Sequence, residues 1–286
     1  MDLISPTTIK ELLSKYEARP SKGLGQNFLV DKNVLGKIVD SANIKPSDFI
    51  LEVGPGLGTL TQELASKAKH VLAIEKDKTM IEILKETLKN YKNVEVISGD
   101  ILKLKIDELI ANCKLKIENY KVVANIPYYL TSPLIRKMLE TEFPPKDLVL
   151  MLQKEVAQRI CSLPPNMSLL AVSVQFYAEA KIISTVSKNS FWPAPKVDSA
   201  IIKITPHPLS FPRKQEFREF TDLFFQVVKA GFSQPRKQLV NNLSKTLKLS
   251  REEIIEWLTK NNINPTQRAE TLSVDDWKNL TNNYLL

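Results

Sequence analysis

The sequence predicts an α/β fold, a parallel doubly wound sheet followed by a smaller all-helical domain. Three observations carry this. Short apolar runs alternate with helix-period segments through the first part of the chain, the pattern of strands joined by crossover helices. The runs are apolar throughout rather than alternating, as in strands buried on both faces. After a proline-rich linker at 206–214, only helical patterns remain.

The first run, FILEVG (49–54), closes on a glycine. TLTQELASKA (59–68) has helical spacing, and HVLAIE (70–75) is a second strand. KTMIEILKETLKN (78–90) is an amphipathic helix with Met80, Ile81, Ile83, Leu84 and Leu88 mostly on one face. NVEVISGD (93–100), YKVVANI (120–126) and KDLVLMLQ (146–153) supply three more strands. LLAVSVQFYA (169–178) and SAIIKIT (199–205) are later β-like runs. Beyond the linker, FREFTDLFFQVVKAGF, KQLVNNLSKTL, SREEIIEWLTKNN and SVDDWKNLTNNYL read as helices, with Ser250 and Glu253 spaced as a capping box. The expected domains are therefore 1–206 and 207–286. No internal repeat or low-complexity tract interrupts them.

A length of 286 residues suits one large domain and a smaller one. No apolar run approaches the roughly 20 residues that span a bilayer. The first residues carry acids and no apolar core, so no signal peptide is expected. Two distant cysteines, Cys113 and Cys161, fit a reducing cytoplasm and exclude a disulfide framework. With only His70 and His207 beside them, no metal site is expected. The net charge of +8 favours an anionic partner such as nucleic acid, although the same surplus also serves solubility.

LEVGPGLGTLT follows the first strand and opens a helix. Gly54, Gly56 and Gly58 allow backbone to approach a ligand closely, and the helix start offers free N–H groups. The G-x-G-x-G spacing differs from the dinucleotide fingerprint G-x-G-x-x-G. With Pro55 it resembles the S-adenosylmethionine loop of class I methyltransferases. Glu75 ends the second strand, where a carboxylate can accept from ribose hydroxyls. Asp100 ends the third, where it can accept from an adenine's exocyclic amine. A ligand-free glycine turn looks the same, and either acid alone reads as a helix cap. Three adjacent strand tips bearing glycines, Glu and Asp in order favour a ligand, since open α/β sheets bind outside their carboxyl ends.

The fourth strand ends in Asn125, Ile126, Pro127 and Tyr128. An aromatic amine is a poor nucleophile because its lone pair is delocalised into the ring. Two acceptors on its hydrogens, the Asn125 side-chain oxygen and the Ile126 carbonyl, can hold it and favour a pyramidal nitrogen. Pro127 lacks an N–H and fixes φ, so it presents that carbonyl in one direction. Tyr128 can stack on the base. An amide is no general base, so positioning and electrostatics carry the rate. A plain strand-ending Asn-Pro turn is the alternative.

GQNFLVD (25–31), EVGPGLGTLT (52–61), Glu75, SGD (98–100), NIPYYLTSPL (125–134) and FWPAPKVDSAII (191–202) together resemble the ribosomal RNA adenine dimethyltransferase family. GFSQPRKQLVNNL (231–243) and RAETLSVDDW (268–277) carry the resemblance into the helical domain and toward the small-subunit branch. The resemblance implies a Rossmann-like class I methyltransferase sheet in 1–206 and a helical RNA- or ribosome-docking domain in 207–286. It implies S-adenosylmethionine as cofactor, S-adenosylhomocysteine as product, and no metal. The implied reaction adds two methyl groups to the exocyclic amine of each of two adjacent adenines near the 3′ end of small-subunit ribosomal RNA. Carried over by motif, Asn27, Leu29, Gly54, Gly56, Gly58, Glu75 and Asp100 line the cofactor. Asn125 lies between cofactor and target base, within the catalytic Asn125–Tyr128 stretch. Tyr128 stacks, and Phe191 walls the base pocket. Tyr129 departs from the asparagine common after this tetrad, which bears on the pocket wall.

The expected partners are small-subunit ribosomal RNA and the precursor particle, met by a cytoplasmic monomer with no membrane contact. Arg213, Lys214, Arg236 and Lys237 are candidate phosphate contacts, as are Lys22, Lys32, Arg136 and Lys137. Each alone reads equally as a solvated charge. Pro235 is placed to start a helix beside Arg236 and Lys237. Competing readings are a resistance-type methyltransferase of large-subunit RNA and a non-catalytic RNA-binding assembly factor. A nucleotide-dependent oxidoreductase conflicts with the glycine spacing. A DNA adenine methyltransferase usually carries a second proline in the tetrad.

Overall fold

The computed structural model describes residues 1–21, 23–112, 120–208 and 215–284. The chain divides into two compact units, Met1–Ala157 with Glu179–Pro206, and Gln158–Ala178 with His207–Leu286.

The first unit opens with α1 (Pro6–Lys15), whose Ser5 cap accepts from the Thr8 N–H. β1 (Phe28–Leu29) then leads through the Asp31 cap into α2 (Lys32–Ser41). The alternation follows as β2 (Phe49–Val53), α3 (Thr59–Lys67), β3 (His70–Glu75), α4 (Lys78–Thr87), β4 (Val94–Ser98), α5 (Ile106–Asn112), β5 (Tyr120–Asn125), α6 (Thr131–Glu140) and β6 (Leu148–Gln153). Then come α7 (Lys154–Ile160), α8 (Leu169–Gln175), β7 (Ala178–Val186), β8 (Phe191–Trp192) and β9 (Ser199–Pro206).

Seven strands form one sheet in the order β4-β3-β2-β5-β6-β9-β7. β2 to β6 run parallel, and β9 returns antiparallel to β6. Ile50, Val71, Val123 and Val149 pack with Leu35 and Ile38 of α2 and Leu60 and Leu64 of α3. The alternate residues Leu51, Leu72, Val122 and Leu150 are just as buried. Both faces of the central strands are therefore covered, which is why their sequences lack alternation. β2 lies between β3 and β5, so the strand order reverses there. A crevice opens at such a reversal, outside the carboxyl ends of the strands.

The second unit contains α8 together with α9 (Gln215–Gly231), α10 (Leu239–Leu247), α11 (Arg251–Lys260) and α12 (Val274–Asn282). Phe224, Val228, Leu243, Leu258 and Trp277 form its core. The expected capping box forms: Ser250 Oγ accepts from Glu253 N at 3.2 Å, and Glu253 Oε2 accepts from Ser250 N at 2.8 Å.

Two expectations need correction. LLAVSVQFYA (169–178) is not one strand, because Leu169–Gln175 is helical and β7 starts only at Ala178. A short apolar run fits both periods. Here Ser168 caps the helix by accepting from Ala171 N at 3.1 Å, and Ala171 and Val172 join the core of the second unit. Residues 158–178 thus pack with the C-terminal helices, whereas a 1–206 boundary assigns them to the sheet. Pro235 does not start a helix either. α10 begins at Leu239 behind Gln238, and residues 234–237 form a turn closed by Lys237 N to Gln234 O at 3.0 Å.

Candidate active site

The glycine loop begins where β2 stops. Gly54 N still donates to Ile74 O at 2.9 Å, continuing the pairing with β3. The chain then turns through Gly54, Gly56 and Gly58 at φ of 70°, 59° and 92°, values that side-chain-bearing residues rarely adopt. Gly58 N closes the turn on Pro55 O at 2.9 Å, and α3 starts at Thr59. A Cβ on Gly56 would stand 3.4 Å from the Phe28 ring. Gly54 and Gly56 line a cavity, whereas Gly58 does not. Gly58 instead packs on α4, with a Cβ there falling 3.2 Å from Leu84 and Leu88 side-chain carbons.

Glu75, at the end of β3, is buried and ties the loop to its own strand. Its Oε2 accepts from Gly56 N at 3.1 Å, and its Oε1 accepts from Lys76 N and Asp77 N at 2.8 Å each. These bonds use three of the roughly four lone-pair directions of a carboxylate. One direction on Oε2 remains for a hydroxyl, fewer than the pair of ribose hydroxyls the sequence suggests. Burial raises the Glu75 carboxyl above its ordinary value, and the three backbone donors pull it back.

Asp100 follows β4. Its Oδ1 accepts from Leu102 N at 3.0 Å and its Oδ2 from Lys76 Nζ at 2.9 Å. The Lys76 ammonium and the backbone bond hold its carboxyl below the usual range. Asp100 therefore stays an acceptor at any ordinary pH.

β5 delivers Asn125, and Ile126 N donates onward to Met151 O of β6 at 3.3 Å. Asn125 Nδ2 donates to the Asn27 carbonyl at 3.4 Å. Among the described residues, neither Asn125 Oδ1 nor the Ile126 carbonyl accepts a hydrogen bond. Pro127 is seated between two glycines. A Cβ on Gly25 would lie 3.4 Å from Pro127 Cβ, and one on Gly54 would lie 3.7 Å from Pro127 Cδ. The tetrad, the glycine loop and the 25–29 segment are thus one packed assembly. Tyr128 and Tyr129 follow in a single 3-10 turn, Tyr128–Leu130.

One cavity joins these parts. Asn27, Leu29, Gly54, Gly56, Glu75, Asp100, Asn125, Ile126, Pro127, Tyr128 and Phe191 all line it. β1 pairs antiparallel with β8, setting Leu29 opposite Phe191 and Phe28 opposite Trp192. That two-residue ladder brings together segments far apart in sequence. Arg236 and Lys237 are exposed in the second unit, and Arg213, Lys214 and Lys22 lie outside the described residues.

Sequence reasoning missed Glu52, Lys76 and Ser199. Glu52 lines the cavity, is fully buried, and its Oε2 has no hydrogen-bond partner. Its position just before the glycine loop, inside an apolar strand, was the available signal. Gln26 also holds the site: its Nε2 donates to Asp77 Oδ2 at 2.8 Å, and its Oε1 accepts from Ser21 N at 2.8 Å. Among the described residues, no group of three His, Cys, Asp or Glu side chains could hold a metal, and no helix is long and apolar enough to cross a membrane.

Comparison with known proteins follows the same lines. "Ribosomal RNA small subunit methyltransferase A" of Alkaliphilus oremlandii is 47% identical over 287 residues, covering 99% of this chain and 98% of the relative. A crystal structure of a dimethyladenosine transferase from Plasmodium falciparum superposes with a TM-score of 0.72 at 29% identity, covering 88% of this chain and 95% of that one. The 23S rRNA methyltransferase ErmE gives 0.70 at 25% identity, over 90% and 98% of the two chains. The family described as ribosomal RNA adenine dimethylase matches residues 18–285, and the chain belongs to that family.

Proposed function

We propose that this protein methylates the exocyclic amines of two adjacent adenines near the 3′ end of small-subunit ribosomal RNA, converting each to dimethyladenosine. The reading rests on one convergence: the glycine loop, Glu75, Asp100 and the Asn125–Tyr128 tetrad share a single cavity at the strand reversal. The small-subunit substrate is favoured over large-subunit RNA by sequence: relatives at 43–47% identity carry the small-subunit name, against 25% for the 23S enzyme.

The cavity fits S-adenosylmethionine. Gly54 and Gly56 leave open the space a Cβ would take, Glu75 keeps an acceptor direction for a ribose hydroxyl, and ionised Asp100 can accept from an adenine amine. Asn27 and Leu29 close the wall on the other side. When bound, the cofactor supplies a methyl group on a sulfonium and leaves as S-adenosylhomocysteine.

The chain's own work is positional. Asn125 Oδ1 and the Ile126 carbonyl accept the two hydrogens of the target amine and turn its lone pair toward the methyl donor. Neither group takes a proton, so the proton departs to solvent after transfer. Once one methyl is in place, one N–H remains, and either acceptor can hold it while the amine rotates. Tyr128 stacks on the base and Phe191 walls it, holding an adenine taken out of its own stack. The exposed Arg236 and Lys237 contribute phosphate contacts from the helical unit. The protein works as a cytoplasmic monomer on the precursor small-subunit particle.

The test is to incubate the protein with labelled cofactor and unmethylated small subunits, then digest the RNA and identify the nucleoside. Dimethyladenosine is the expected product. Unmodified small-subunit RNA overturns the reading in favour of a binding-only assembly factor, and label confined to large-subunit RNA overturns it in favour of the resistance-type substrate.

A further inference from the structure

Tyr128 is anchored at its far end. Its phenol oxygen lies 2.8 Å from Ser199 Oγ, and either hydroxyl can donate. Ser199 is fully buried and opens β9, where it sits opposite Gln153 of β6. The serine oxygen is thus held by a strand ladder in the body of the sheet. Tyr128 itself follows Pro127 in one short 3-10 turn, and its ring has two side-chain torsions to settle. Fixing the para oxygen settles the first and so where the ring stands; the oxygen lies on the axis of the second, so rotation about that axis is left to packing. Its neighbour Tyr129, in the same turn, is 54% exposed.

The serine has no other evident task. Among the described residues, its side chain makes no hydrogen bond except that to Tyr128. An alanine would fill the same place in the strand without bringing a polar group into the sheet. A buried hydroxyl left unpaired costs about 1–3 kcal/mol, so a serine at this place is matched to the bond it makes.

We propose that Ser199 is a positioning residue for methyl transfer, fixing where the Tyr128 ring stands so that a stacked adenine presents its amine to Asn125 and Ile126. The proposal rests on the adenine-methylating function above. It extends the site beyond the tetrad to the antiparallel strand on the far side of β6. The clamp governs alignment more than affinity, because misplacement by about 1 Å can cost on the order of 10²-fold in rate.

The experiment compares wild type, Ser199→Ala, Ser199→Thr, Tyr128→Phe and the Ser199→Ala/Tyr128→Phe double variant on unmethylated small subunits, with cofactor binding followed by calorimetry. Ser199→Ala and Tyr128→Phe should each lower kcat by about tenfold, with KM for the subunits and the cofactor Kd nearly unchanged. The double variant should be no slower than the slower single one, because both remove the same bond. Ser199→Thr keeps the hydroxyl and should recover most of kcat. Tyr128→Phe keeps the ring and its packing, so its rate tests the clamp even where Ser199→Ala folds poorly. A wild-type kcat in Tyr128→Phe, or losses that simply add in the double variant, overturns the clamp alone. A wild-type protein that makes no dimethyladenosine overturns the function itself and the clamp with it.

Discussion

Asn125 spends its amide nitrogen on the backbone carbonyl of Asn27, 3.4 Å away. The residue at the tip of β5 is thereby tied to the segment just before β1, and its Oδ1 is the end left for the cavity it lines. Asn125→Ala removes the acceptor and the tether together. Methyl transfer should fall by about 10²–10³-fold, the usual cost of losing one preorganised hydrogen-bonding group at a reacting centre. Cofactor affinity should fall by less than about tenfold, or ~1.4 kcal/mol, since the glycine loop and Glu75 remain. Single-turnover methylation and calorimetry separate the two effects, and transfer near the wild-type rate would contradict the role given to Asn125.

Glu75 accepts from Gly56 N with one oxygen and from Lys76 N and Asp77 N with the other. Glu75→Gln replaces one acceptor by an NH₂ group, which must then face a backbone N–H. Either the glycine loop or the turn after β3 loses its anchor. An unsatisfied buried donor costs about 1–3 kcal/mol. Cofactor binding should weaken by roughly tenfold or more, while the RNA-binding affinity of the free protein stays near wild type. Calorimetry with S-adenosylhomocysteine reads the first quantity and filter binding the second.

The succession of strands and helices and the identity of the loop were legible because each rests on local chemistry. Glycines at positive φ, acids at strand tips and an Asn-Ile-Pro-Tyr strand end all leave marks in the sequence. What stayed hidden depends on contacts between distant segments. Nothing near Phe191 reveals that it pairs with Leu29, and nothing near Ser199 reveals its bond to Tyr128, 71 residues earlier. The helix at Leu169–Gln175 was hidden for another reason. Its apolar run fits either period, and only the core of the second unit decides between them. Gly58 shows the limit of motif reading, since it matches the loop pattern but faces α4 rather than the cavity.

Glu52 predicts a pH dependence of stability. Burial pushes its carboxyl up to about 8, with the neighbouring Glu75 charge acting the same way and Thr61 opposing them. In the unfolded chain it titrates near ~4.3. Between these values the folded protein holds a proton that the unfolded chain has released, so stability falls as pH rises through that window. Below it both states are protonated and the effect vanishes; above it the penalty is constant. Glu52→Gln keeps the shape without the titration. Between about pH 5.5 and pH 8, wild type should lose on the order of 2 kcal/mol more than Glu52→Gln. Urea unfolding at the two pH values measures the difference, and parallel slopes for the two proteins would rule out a neutral Glu52 in the folded state.

The helical unit carries the electrostatic prediction. From Leu223 to Arg251 the chain has six lysines and arginines and no acid. Arg236 and Lys237 stand exposed in the turn before α10. Phosphate contacts release condensed counterions, so affinity for RNA should fall linearly on a log–log plot against salt. Each lysine or arginine that meets a phosphate adds about one to the slope. The Arg236→Ala/Lys237→Ala double variant should therefore bind ribosomal RNA more weakly and with a slope shallower by about two. Its affinity for S-adenosylhomocysteine should stay that of wild type, because neither residue lines the cavity. If the double variant lost affinity without any change of slope, the two cations would be shaping the turn rather than meeting phosphate, and the RNA footprint would have to be sought elsewhere on the unit.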